Sequence, residues 1–220
     1  MTFRSPTAER APISIAGRTP QDPFAAIGTH LRFDAGEEIY AQEDSADMLY
    51  RVLQGSVRRT RLLEDGRRQV GGFYFPGDFF GLEIGDQHRS SAEALDPAQV
   101  LAIQRSALKY HGEDSAQLER MIWLATGLEL QRAQDHMMLL TRKSAFERVS
   151  GFLLEIGASA RGAWAQLPMS RQDIADYLGL TIETVSRMVT QVQAEGLVMF
   201  DGARRFRVLQ QSRRVCLAAA

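Results

Sequence analysis

A chain of 220 residues, 45% apolar and 24% charged, is long enough for two modest domains with real cores, and its formal net charge of -1 offers no bulk attraction to nucleic acid or lipid. One cysteine, Cys216, excludes an intrachain disulfide and a cysteine-built zinc cage. No apolar run reaches the roughly 18–20 residues of a membrane span, and the polar start lacks a signal-peptide core, so a cytoplasmic protein without a membrane partner is expected.

Residues 1–24, interrupted by Pro6, Pro12, Pro20 and Pro23, read as a flexible N-terminal arm. Residues 25–110 carry short β-rich runs between glycines. Met48–Leu53 and Val57–Leu63 flank Gln54-Gly55-Ser56, and Gln69–Phe75 follows Glu64-Asp65-Gly66. The Asp-Gly pair is a strong hairpin signal, because glycine accepts the positive φ of a tight turn. Many short strands with regular turns predict a small antiparallel β-roll.

The texture changes over residues 111–142. From Ser115 to Leu140 there is no proline, and Leu118, Met121, Ile122, Ala125 and Leu128 recur at helical spacing. Such a stripe fits one side of a domain core. The length of the helix, between two differently textured regions, favours a dimerisation helix paired with its own copy once it is taken together with residues 170–196. Residues 143–220 begin with an amphipathic helix, Ala145–Ile156, expected to stop at Gly157, followed by a small-residue loop over 157–168.

Residues 170–196 read SRQDIADYLGLTIETVSRMVTQVQAEG. Ser170 and Asp173 form a Ser-x-x-Asp capping box, and Ile174, Tyr177 and Leu178 give the first helix an inward face. Gly179 ends that helix, Thr181 caps the next, and Val185, Met188, Val189 and Val192 point it inward. Two short helices joined by a glycine-containing turn make a helix-turn-helix. Glu183, Ser186 and Arg187 lie on the outward face of the second helix, where side chains reach base edges. Arginine can hold guanine O6 and N7, and glutamate can accept from cytosine N4. The plainer reading of Glu183 and Arg187 is an i, i+4 surface ion pair. Gly196–Phe200 and Arg204–Leu209 around Asp201-Gly202-Ala203 read as a two-stranded wing. Arg204 and Arg205 at its tip, with Ser170, Arg171, Thr181 and Thr184, are the expected phosphate contacts.

Roll, long helix and winged helix-turn-helix, in this order over about residues 25–210, resemble the CRP/FNR superfamily of bacterial regulators. Glu183-x-x-Ser186-Arg187 is similar to the FNR-type reading helix; the cyclic-AMP-receptor type has arginine where Ile182 stands and glycine where Ser186 stands. Asp176-Tyr177-Leu178-Gly179-Leu180-Thr181 and Phe75-Pro76-Gly77-Asp78-Phe79-Phe80-Gly81-Leu82-Glu83 resemble the FixK-like branch. The resemblance implies an α+β chain acting as a homodimeric activator that works with RNA polymerase at a palindrome like TTGA-N6-TCAA. It also implies control of low-oxygen respiration, denitrification or nitrogen-fixation genes.

The same family frames what the roll could bind. An Arg-Ser pair, Arg89-Ser90, matches the phosphate-binding pair of cyclic-nucleotide members, but Glu83 sits one place late and the connecting stretch is short. No cysteine precedes Cys216 to ligate an iron–sulfur cluster, and His30, His88, His111 and His136 are scattered rather than paired. No cofactor or metal is expected. The alternative within this fold is an allosteric sensor of cyclic nucleotide or haem. A β-roll enzyme is the third reading, opposed by the Glu183/Ser186/Arg187 helix and by the lack of any visible triad or phosphate-cradling loop.

Overall fold

The computed structural model describes residues 23–109, 115–142, 144–158, 160 and 163–209; the N-terminal arm before Pro23, His111, Arg213, Arg214 and Cys216 lie outside them. A five-residue helix, α1 (Pro23–Ile27), leads into eight strands: β1 (Gly28–Phe33), β2 (Glu38–Tyr40), β3 (Met48–Gln54), β4 (Val57–Leu62), β5 (Arg68–Tyr74), β6 (Phe79–Phe80), β7 (Ser91–Ala94) and β8 (Ala98–Gln104). They form two four-stranded antiparallel sheets, ordered β1-β8-β3-β6 and β2-β7-β4-β5. Side chains alternate across each sheet, so Tyr40, Val52, Val57, Tyr74, Phe80 and Val100 meet between the two as the inner core. The β4–β5 hairpin turns at Asp65-Gly66, with Gly66 at φ 80°.

Strand β8 is buried along nearly its whole length. Its inner residues feed the roll, while Leu101 and Ile103 face outward and are covered by Phe24 and by Leu118 of the long helix α2 (Ser115–Arg142). The N-terminal part of the apolar stripe on α2 therefore packs on the roll. Leu118 is 1% exposed, and Met121 and Ile122 pack against the same cluster, so these three residues expected at a dimer contact are turned onto their own roll. Ala125 is half-buried. Leu128 is exposed and lies beside a second exposed strip, Trp123, Leu124, Leu130, Met137 and Met138, which no described residue covers.

Beyond α2 come α3 (Ala145–Ala158), β9 (Ala165–Gln166), α4 (Arg171–Leu178), α5 (Ile182–Ala194), β10 (Val198–Asp201) and β11 (Arg205–Val208). Val149, Phe152, Leu153, Ile174, Leu178 and Val185 share one core with Val198 and Phe206. Two details differ from expectation. Helix α3 runs through Gly157 to Ala158 rather than stopping there, and a side chain at Gly157 would overlap Val208 of β11, so the glycine serves a packing contact rather than a helix stop. The segment read as a loop supplies β9, so the wing is three-stranded, ordered β10-β11-β9.

Candidate nucleic-acid interface

The two helices of the motif are locally specified. The Ser170 hydroxyl accepts from the Asp173 amide, and the Asp173 carboxylate accepts from the Ser170 amide, which closes the capping box. Gly179 takes the left-handed conformation at φ 63°, and its amide donates to the Ala175 carbonyl. Thr181 caps α5 by accepting from the Thr184 amide. Ile174, Ala175 and Leu178 of α4 and Val185, Val189 and Val192 of α5 are buried against each other and α3, which fixes which side of α5 faces out.

On that outward side Glu183, Ser186 and Arg187 are exposed together in the first two turns of α5. The i, i+4 ion pair between Glu183 and Arg187 is not formed. The Glu183 carboxyl is instead held below the usual range by its own backbone amide and the Thr181 hydroxyl at the helix start. Arg187 is exposed beside it. Ser170 and Thr184 are half-buried and Thr181 is exposed along one edge of the motif.

The wing brings further cations to this side. Arg204 and Arg205 are exposed at its tip, and Arg205 makes a 3.2 Å pair with Asp201. The guanidinium carbons of Arg205 and Arg207 lie 4.8 and 5.3 Å from the centre of the Trp164 ring. Trp164 and Arg207 belong to this surface and were missed, because neither stands in the helix-turn-helix or at the wing tip. Arg171 is drawn inward: its guanidinium sits 4.9 Å from the centre of the Phe200 ring and burial holds its pKa below the ordinary value.

Two further side chains seat the motif on the long helix. His136 of α2 stacks on Tyr177 at 4.0 Å and lies 2.7 Å from the Tyr177 carbonyl. Arg148 of α3 donates to the carbonyls of Leu140 and Leu178, at 2.7 and 3.0 Å, tying the ends of α2 and α4 together.

The roll holds the residues considered for a ligand. Glu83, Arg89 and Ser90 line a groove of about 340 Å³ with Arg59, Arg61 and Gln69. The Glu83 carboxylate accepts from the Arg89 amide at 3.2 Å, and Arg89 itself is exposed. Arg59 is met from α2 by Glu129, at 2.7 Å, and Tyr74 donates to the same carboxylate at 3.0 Å. His88 is buried on the Tyr40 ring, 3.6 Å between centres, and burial lowers its pKa. His30 is exposed on β1. Among the described residues no cluster of three or more His, Cys, Asp or Glu side chains could hold a metal, and no helix is long and apolar enough to cross a membrane.

Comparison with known proteins agrees with both halves. Residues 30–110 match the family model for the cyclic nucleotide-binding domain, and residues 167–198 match that for bacterial regulatory proteins of the crp family. The chain is 42% identical over 192 residues to the nitrogen fixation regulation protein FixK of Azorhizobium caulinodans, covering 84% of this chain and 77% of the relative. It is 40% identical to the transcriptional activatory protein AadR of Rhodopseudomonas palustris, covering 93% and 87%. Among solved structures, FixK2 of Bradyrhizobium japonicum superposes with a TM-score of 0.79 at 45% identity, covering 88% of this chain and 98% of that one.

Proposed function

The chain belongs to the CRP/FNR superfamily of transcription regulators, on its FixK-like branch, and from that premise we propose that it reads a palindromic operator as a homodimer. It is a DNA-binding regulator of the type that governs nitrogen fixation and anaerobic respiration. The observation that carries the finer reading is the open face of α5, where Glu183, Ser186 and Arg187 are exposed together on a rigid two-helix scaffold. In a TTGA-N6-TCAA site, Arg187 holds the guanine O6/N7 edge, Glu183 accepts from the N4 amino group of the paired cytosine, and Ser186 approaches a thymine methyl. Arg204, Arg205 and Arg207 meet phosphates, with Ser170, Thr181 and Thr184 along the same edge.

Dimerisation is assigned to the uncovered strip of α2, which holds Trp123, Leu124, Leu128, Leu130, Met137 and Met138. A 28-residue helix is about 42 Å long, enough for a paired seam that sets two reading heads roughly 34 Å apart, one turn of B-DNA. Such a regulator works in the cytoplasm and meets RNA polymerase at the promoter, and no catalytic step belongs to this reading. The deciding experiment is selection of bound sequences from random DNA with the purified chain. Recovery of two TTGA-like half-sites in inverted repeat is expected, and enrichment of unrelated or unpaired motifs overturns the assignment. In parallel, Leu130→Glu should give a monomer by sedimentation, while Ile122→Glu should damage the fold of the roll itself.

A further inference from the structure

The reading head is held to the roll by a run of paired charges centred on the buried Asp173. The two oxygens of Asp173 divide their partners. Oδ2 accepts from the amide and hydroxyl of Ser170, at 2.9 and 2.7 Å, completing the cap of α4. Oδ1 accepts from Arg58 of β4 at 2.6 Å and from Arg68 of β5 at 2.8 Å. Arg58 reaches on to Glu93 of β7 at 2.6 Å, and Arg68 to Asp176 of α4 at 2.7 Å. The side chain of Asp173 is 2% exposed, and its carboxyl stays below the usual range because Ser170, Arg58 and Arg68 outweigh the upward push of burial.

An apolar seam runs beside these charges. Phe73 of β5 packs on Phe152 and Tyr177, with ring centres 6.0 and 5.2 Å apart. Apolar contact holds two bodies together but has little directional preference. Short charge-assisted hydrogen bonds fix an angle, and here they fix it through the carboxylate that also starts the first helix of the motif.

We propose that Arg58 and Arg68 are positioning residues for DNA recognition: through Asp173 and Asp176 they set the angle of the reading head on the roll. The proposal rests on the DNA-reading function above and assigns that function a control point on the β4–β5 hairpin, remote from the bases. A rigid head places both half-sites of a palindrome in register at once. A loose head still meets phosphates but loses the geometry on which base contacts depend. Any event that moves the hairpin therefore changes operator affinity before it changes general affinity for DNA.

The test uses the full chain with Arg68→Ala, Asp176→Ala and the double variant, titrated against the selected operator and against unrelated duplex. Each single variant should lose at least fivefold in operator affinity while unrelated duplex binds within twofold of wild type. The double variant should lose no more than Arg68→Ala alone, since Asp176→Ala removes one of the two links, to Asp173 and Asp176, that Arg68→Ala removes together. Spin labels at Leu62→Cys and Gln193→Cys, in a Cys216→Ser background with one labelled chain per dimer, should give a narrow distance distribution that broadens in the variants. Wild-type operator affinity in both single variants, strictly additive losses, or an unchanged distribution overturns the latch. A wild-type chain that prefers no operator overturns instead the function on which the latch rests.

Discussion

The helix-turn-helix presents charge on two sides, and the sides differ in whether the charges are answered. Toward the roll, Asp173 and Asp176 meet Arg58 and Arg68 at 2.6–2.8 Å in a shielded seam. Toward solvent, Glu183 and Arg187 stand four residues apart on one helix and do not pair. The same residue types serve both. Burial makes an unpaired charge expensive, so the inner set is complete within the chain. Exposure makes it cheap, so the outer set can remain open for a partner. An open charged face on a motif whose inner carboxylates are all paired is therefore informative about function, while the paired face is informative about architecture.

Substitutions on the two sides should separate stability from recognition. The largest effect is expected from Asp173→Ala, which removes the side-chain half of the α4 capping box and takes one carboxylate from each of Arg58 and Arg68, leaving them Glu93 and Asp176. Chemical denaturation should show a loss of about 1.5–3 kcal/mol, and a loss below about 0.5 kcal/mol would remove the Asp173 carboxylate from what holds the seam together. Next comes Arg187→Ala. Its stability should stay within about 0.5 kcal/mol of wild type, while discrimination at the G·C step of the operator falls by about 1–3 kcal/mol. Unchanged preference for that base pair in a competition titration would remove Arg187 from the base-reading set.

Smaller effects sharpen the contrast. Arg205→Ala should weaken binding to all duplexes alike and lower the slope of log affinity against log salt by roughly one phosphate contact. A sequence-dependent loss would place it among the bases instead. The least effect concerns pH. Burial holds His136 below its ordinary 6.5, although the Tyr177 carbonyl opposes this, so the folded chain favours the neutral ring. The unfolded chain takes up the proton first, and stability is lost as pH falls through 6.5 toward the lower folded value. His88 is shifted the same way. His136→Phe should keep the stack on Tyr177 and show a shallower fall in melting temperature between about pH 7 and 5.5, and an identical slope would exclude His136 as a contributor.

Legibility in the sequence followed the range of the interactions. The capping box, the Gly179 turn and the Thr181 cap each span three or four residues and could be read directly. The Asp65-Gly66 hairpin is equally local. Helix α2 shows where periodicity stops helping. It carries two apolar strips, and spacing alone does not say that Leu118 seals the roll while Trp123 and Leu130 stay bare. That choice is made by Leu101 and Ile103 on β8, which the helix must cover. Strand β9 has two residues and no pattern to detect, and Gly157 looks like a helix stop unless Val208 is known to press on it. The Arg58–Asp173 contact joins residues 115 apart in the chain, and no local signal foreshadows it.

Trp164, lying under Arg205 and Arg207, makes the wing optically addressable. The chain has only two tryptophans, and the other, Trp123, is 78% exposed on the bare strip of α2. One indole thus stands at each surface assigned to assembly, the first beside the operator and the second within the dimer seam. With Trp123→Phe, the remaining emission should respond when DNA draws the wing arginines toward phosphate and be indifferent to protein dilution. With Trp164→Phe, the response should reverse, following dilution and ignoring DNA. Two conservative replacements therefore allow subunit association and operator docking to be timed separately in one cuvette without an added dye.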